Sequence, residues 1–188
     1  TFDGDDSVTL NVDGGSIEKI VDAGKGNDTV DASGAVNATI LGGDGNDSLT
    51  GSPVADDISG GPGNDTLAGG DGDDLLRGGQ GNDALSGNDG NDIIEGNAGN
   101  DVLAGNDGDD AIFGNEGSDT INWTSGDDND VVQGGDGTDV LAATFTAATD
   151  TVTINSLPVS GDDFQRCCVN ARVIAGMLRP KGDGEDGA

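Results

Sequence analysis

Aspartate recurs every nine residues through the middle of this chain, at Asp47, Asp56, Asp65, Asp74, Asp83, Asp92, Asp101, Asp110 and Asp119. A carboxylate on a fixed lattice is a hard oxygen donor, suited to a divalent cation. Paired carboxylates could instead hydrolyse a glycosidic bond. The period, however, accounts for almost every Asp and leaves no distinctive acid pair. The chain contains no His, which removes Ser–His and Cys–His pairs and zinc-protease motifs. The residues therefore point to binding rather than catalysis, and the chain is not expected to be an enzyme. Zinc and copper are disfavoured, because the repeats hold neither His nor Cys. Flexible loops that offer six to eight oxygens suit Ca²⁺, whereas Mg²⁺ demands tighter octahedral geometry and keeps its waters. Several Ca²⁺ ions are expected, held by carboxylates and turn carbonyls.

The elements that carry these carboxylates follow from the rest of the period. Nine contiguous nine-residue units run from Gly42 to Asn122, with Gly at position one, Asp at six and Leu or Ile at eight. Position four is Gly in eight of the nine, with Val54 the exception. A strict short period means a stacked solenoid in which each unit contacts its neighbours. Position two is Gly or Asn in all but one unit. Asn88, Asn97, Asn106 and Asn115 suit a left-handed backbone there. Each unit divides into a six-residue turn and a three-residue strand, with position eight inward and positions seven and nine outward. Two units make a coil, so units two apart stack at about 4.8 Å. The Asp residues then form two columns: 47, 65, 83, 101, 119 and 56, 74, 92, 110. At about 5 Å and an effective dielectric near 20, each stacked pair repels by about 3 kcal/mol. The metal-free array should be loose or unfolded, and folding should be coupled to the ion.

The pattern fades at both ends. Residues 1–41 read as degenerate coils: Gly4, Asp6 and Val8 fit positions four, six and eight, and Ser7 to Val12 alternates as a strand. Ala23 to Asp31 is a near-copy with Asp28 at position six, while 32–41 loses the Asp. Residues 123–163 continue the solenoid irregularly. Trp123 and Thr124 form an insertion, after which Asp130 and Asp139 return to position six and Asp150 follows more loosely. Residues 164–188 are atypical, with a short helix expected over 165–178, ended by Pro180, and an acidic, disordered tail. The chain starts at Thr1 with no visible signal peptide, as expected of a processed product or a piece of something longer.

Composition narrows the partners. The 188 residues carry 37 acidic and 7 basic side chains, a net charge of −30. Nucleic acid is excluded as a partner, since phosphate binding needs clustered Lys and Arg. Anionic membrane surfaces are disfavoured likewise, and no apolar run is long enough to span a bilayer. Cys167 and Cys168 are adjacent and give no disulfide framework. Open solenoid ends invite strand pairing, so end-to-end self-association is a second expectation.

The units resemble the RTX (repeats-in-toxin) nonapeptide GGxGxDxUx. GGDGNDSLT at 42–50, GGPGNDTLA at 60–68 and GGQGNDALS at 78–86 match every defined position. Unit 51–59, GSPVADDIS, departs at positions two and four. The resemblance implies an all-β fold, a right-handed parallel β-roll (haemolysin-type β-solenoid) with calcium in the turns. It implies ligation by the Asp carboxylates, Asp28, Asp130 and Asp139 included, and by loop carbonyls. Gly45, Gly63, Gly72, Gly81, Gly90, Gly99 and Gly108 are the corresponding position-four residues. It also implies a bacterial protein exported by type I secretion, secreted, extracellular or at the cell surface, that folds on meeting calcium outside the cell.

Overall fold

The computed structural model describes residues 2–11, 19–35, 37–124 and 130–144. The expected 165–178 helix, the acidic tail, the two cysteines and the coil around Asp150 lie outside the described residues.

Sixteen strands and no helix make up the described residues. Degenerate coils supply β1 (Phe2–Asp3), β2 (Ser7–Asn11), β3 (Lys19–Lys25), β4 (Thr29–Gly34) and β5 (Ala38–Asp44). The regular repeats supply β6 (Ser48–Thr50), β7 (Asp57–Pro62), β8 (Thr66–Asp71), β9 (Leu75–Gln80), β10 (Ala84–Asp89), β11 (Ile93–Ala98), β12 (Val102–Asp107), β13 (Ala111–Glu116) and β14 (Thr120–Thr124). β15 (Val131–Asp136) and β16 (Val140–Thr144) follow the insertion. Odd-numbered strands form one eight-stranded sheet and even-numbered strands the other. Every strand pairs in parallel with the strand two away, for example Leu85 opposite Leu67 and Leu103. This is the parallel β-solenoid expected from the period, with two units per coil.

The strands are longer than the sequence suggested. Most span six residues, as in Thr66–Asp71, covering positions seven to nine and then one to three. Only positions four to six turn. The reason lies at position one. Strand burial alternates, so that positions eight and one both face inward. Gly at position one fills its inward slot without a side chain, and the strand runs on past the core. The pairing steps over that Gly, from Ser86–Ala104 to Asn88–Asn106.

In the regular repeats the core is one large apolar side chain per strand, and the degenerate coils add Val21, Ala23, Ala32 and Ala38. Val30, Leu49, Leu67, Leu85, Leu103 and Ile121 line one sheet, and Ile40, Ile58, Leu76, Ile94 and Ile112 the other, all buried. Burial of each contributes about 2 kcal/mol. Val8, Leu10, Val132 and Leu141 pack against this column at its ends, half-buried. The two-residue slip is real, since Ala111 pairs with Val131 and Thr120 with Val140, but Trp123 and Thr124 are not the insertion: they extend β14 and pair with Ala143 and Thr144.

Candidate metal centre

The turns are built on backbone that ordinary residues avoid. Gly45, Gly63, Gly72, Gly81, Gly90, Gly99 and Gly108 all have φ between 112 and 152°, a region that favours Gly. Sterics add to this. A Cβ on Gly81 would overlap the carbonyl oxygen of Gly63 one coil before, and one on Gly63 would overlap that of Gly45. Position two is also left-handed, and Asn88, Asn97, Asn106 and Asn115 occupy it at φ 75–80°. Asn fills that slot as expected.

Each turn delivers its position-six Asp into the interior. Asp28, Asp47, Asp56, Asp65, Asp74, Asp83, Asp92, Asp101, Asp110, Asp119 and Asp139 are all buried. They stack in the two expected columns, one along each turn edge of the roll. Along edge one, the backbone N–H of Asp47 donates to Asp65 Oδ1, Asp65 to Asp83, Asp83 to Asp101 and Asp101 to Asp119, each at 2.8 Å. Asp28 joins this column by donating to Asp47 Oδ1 at 2.8 Å, and Asp119 donates to Asp139 Oδ1 at 3.0 Å. Along edge two, Asp56 donates to Asp74 Oδ1, Asp74 to Asp92 and Asp92 to Asp110 at 2.8 Å, and Asp110 to Asp130 Oδ1 at 2.9 Å. Asp6 extends edge one by one more coil, donating to Asp28 Oδ1 at 2.7 Å. Asp6 was not singled out as a site residue, although Gly4-Asp5-Asp6 carries the Gly-x-Asp signal of a turn.

These bonds correct the picture of bare stacked charges. One oxygen of each carboxylate is occupied by the N–H of the coil before it. The other oxygen is left over along most of both columns. Oδ2 of Asp28, Asp47, Asp65, Asp74, Asp83, Asp92, Asp101 and Asp119 is buried without a hydrogen-bond partner. It points into the space left by its own position-one Gly. A Cβ on Gly78 would overlap Asp83 Oδ2 and lie 2.7 Å from Gly96 O, and Gly42 stands in the same relation to Asp47 and Gly60. A buried acceptor without a donor is costly. An oxygen-seeking cation would relieve that cost. Among the described residues, no three Asp, Glu, Cys or His side chains gather closely enough to share an ion. Remaining ligands would therefore be carbonyls, and the donor set is all oxygen.

Burial also moves the acidity. It pushes the carboxyl of Asp74 up to about 7 and those of Asp65 and Asp83 up to about 6, against the pull of a backbone hydrogen bond. Asp47, Asp92, Asp101 and Asp119 shift upward for the same first reason.

Asp56 breaks the pattern. Its Oδ2 accepts the N–H of Ser52, and its Oδ1 accepts the Ser52 hydroxyl at 2.9 Å and the N–H of Ala38. Ser52 holds position two, where other units have Gly or Asn.

A second ladder escaped the sequence reading. Position-five side chains reach forward to the next coil: Asn46, Asn64 and Asn82 Oδ1 accept the N–H of Asn64, Asn82 and Asn100, each at 2.7 Å. On edge two, Asp73 Oδ1 accepts from Asn91, and Asn91 Oδ1 from Asp109, at 2.9 Å. The signal was present, since position five is Asn, Asp or Ser in every unit except that of Ala55. On the outer face, Arg77 bridges coils by pairing with Asp57 at 2.7 Å and Glu95 at 3.6 Å.

A family model described as RTX calcium-binding nonapeptide repeat (4 copies) matches residues 33–53, 50–85, 86–121 and 124–144. No curated protein matches the chain.

Proposed function

The chain belongs to the RTX calcium-binding nonapeptide repeat family, and from that premise we propose that it is the calcium-stabilised structural module of a secreted bacterial protein. Bound calcium would supply positive charge and oxygen coordination inside the turns. Asp47, Asp65, Asp83, Asp101 and Asp119 on edge one, and Asp74, Asp92 and Asp110 on edge two, would present carboxylates to it. Asp28, Asp130 and Asp139 extend the two sets toward the ends. Carbonyls of the position-four glycines, Gly45, Gly63, Gly72, Gly81, Gly90, Gly99 and Gly108, complete the candidate ligands. The observation that carries this reading is the row of buried Oδ2 atoms without a donor. Several ions are expected, at weak extracellular affinity of about 10⁻⁴ to 10⁻³ M per site. Sites that weak stay empty where free calcium is scarce. That supports export through type I secretion in a loose form and folding outside the cell, as a secreted, extracellular or surface component with no chemistry of its own.

Circular dichroism tests the reading. The chain in chelator should lack most β signal, and millimolar Ca²⁺ should restore it. A fully folded, chelator-resistant chain would refute the proposal.

A second reading rests on the outer edges of β1 and β2, which have no partner strand among the described residues. Such edges could stack rolls end to end into a fibre or surface layer. Light scattering that rises with Ca²⁺ supports it, and a strictly monomeric loaded chain at high concentration removes it.

A further inference from the structure

We infer that the turn 51–56 holds no calcium, because Ser52 does at Asp56 what the ion does at the other turns. The inference rests on the calcium reading above and concerns which turns take part in it.

Three observations converge on it. The first is the carboxylate. Asp56 receives two donors from Ser52, N–H and hydroxyl, and a third from the N–H of Ala38, so that both oxygens are engaged. Ser52 is itself buried. An ion drawing Asp56 away would strand these buried donors, at a cost that the other turns do not face.

The second is the backbone. Among the described residues, the only non-glycine positions with positive φ are Asn88, Asn97, Asn106 and Asn115. Ser52 and Val54 therefore do not adopt the left-handed conformations found at positions two and four of the other turns. β6 stops at Thr50, where its neighbours run three residues further. The Val54 carbonyl is set differently from the position-four carbonyls that stack elsewhere: a Cβ on Gly72 would meet Val54 C and Ala55 N, where one on Gly81 would meet the carbonyl oxygen of Gly63.

The third is the coil beneath. The residue one coil earlier on this edge is Ala38, which contributes an N–H but no carboxylate. A cation at 51–56 would have no carboxylate from the coil before it. Among the described residues, carboxylates with a free oxygen on edge two begin at Asp74.

Equilibrium dialysis of the full chain against Ca²⁺ tests the assignment by counting bound ions. Asp56→Asn should bind as many ions as the wild type, whereas Asp74→Asn should lose at least one. The triple variant Ala38→Asp, Ser52→Gly, Val54→Gly restores the Gly pattern, frees Asp56 from the Ser52 hydroxyl and supplies the carboxylate missing one coil before, and should gain at least one ion. Loss of an ion in Asp56→Asn equal to that in Asp74→Asn would overturn the inference while leaving the calcium reading intact. If Asp56→Asn does not fold, the triple variant decides, and no gain in it overturns the inference. A wild-type chain that binds no calcium removes the calcium reading and this inference with it.

Discussion

The two turn edges of the roll are made from the same repeat, yet they are not equivalent. Edge one carries an unbroken column from Asp6 to Asp139, joined throughout by N–H to Oδ1 bonds. Its position-five ladder is continuous as well, from Asp5 through Asn27, Asn46, Asn64, Asn82 and Asn100 to Ser118. Edge two instead has Ala38 one coil before Asp56, whose carboxylate takes an N–H from Ala38 and two donors from Ser52 in its own turn. The contrast shows what the ordinary turn lacks. Where protein donors fill the carboxylate, the Gly pattern is dispensable. At Asp65, Asp74, Asp83, Asp92 and Asp101, where Gly holds the pattern, a buried oxygen is left without a donor. The Gly residues shape a turn that is incomplete by itself, and on the proposed calcium reading that incompleteness would couple folding to an ion.

The largest expected effect tests the Gly side of that contrast. Gly81 on edge one has φ +127°, and an added Cβ would overlap Gly63 O. Gly81→Ala combines a disfavoured backbone with a clash against main chain, so it should destabilise the calcium-loaded roll by about 3 kcal/mol or more. Val54 occupies the same position on edge two, is 43% exposed and already carries a side chain. Val54→Ala should change stability by less than about 1 kcal/mol. Urea denaturation in saturating calcium measures both. Equal losses would mean that position four is constrained alike on both edges, and the comparison would fail.

Much of this was legible in the residues, and what was not has a common cause. The period fixed the two-unit coil, the Leu and Ile column and the two rows of Asp, because each depends only on which residues share a face. Asn at position two was readable because few other residues tolerate positive φ. Partner choice was not readable. Nothing in the spacing says that Asp65 Oδ1 accepts an N–H while Oδ2 is left alone, or that Asn64 reaches forward while Asp65 reaches back. Strand length was underestimated for a related reason. Gly at position one suggests a turn by propensity, but here it is an inward strand position emptied to make room for Asp Oδ2 and a neighbouring carbonyl. Ser52 stood out only as a mismatch, and its capping role needed coordinates in space.

A smaller effect separates the edges by acidity. Burial raises Asp74 on edge two to about 7, with the nearby charges of Asp92, Asp56 and Asp73 adding to the rise, and raises Asp65 and Asp83 on edge one to about 6. These folded values lie above the ordinary carboxylate value of 3.8. Between that value and about 7, the folded metal-free chain binds more protons than the unfolded one. Its stability is therefore fully present below about pH 4 and falls as pH rises through 6 to 7. Calcium-stripped protein, loose at pH 8, should gain β signal in circular dichroism on acidification to pH 4.5. A β signal that is flat or rises toward pH 8 contradicts this. Carboxyl resonances of the acid-stabilised form, followed as the pH is raised from 4.5, should show Asp74 losing its proton after Asp65 and Asp83. The reverse order would remove the electrostatic difference between the edges.

The smallest effect concerns the exposed ladder at position five. Asn82 Oδ1 accepts the N–H of Asn100 at 2.7 Å, and the Asn82 N–H donates to Asn64. Asn82→Ala removes only the first of these bonds, at the surface, where water replaces the lost acceptor. The expected loss is about 0.5 to 1 kcal/mol. On edge two the ladder has a gap at Ala55, one coil before Asp73. Ala55→Asn would offer Asp73 N–H the acceptor that Asn64 offers Asn82. The gain should be at most about 0.5 kcal/mol, because the turn 51–56 follows a different backbone path and the added amide reaches less directly. Urea midpoints of the two variants at fixed calcium resolve changes of this size. Should Ala55→Asn stabilise by as much as Asn82→Ala destabilises, the turn at 51–56 is poised like its neighbours. The difference between the edges would then reduce to the side chains of Ser52 and Asp56 alone.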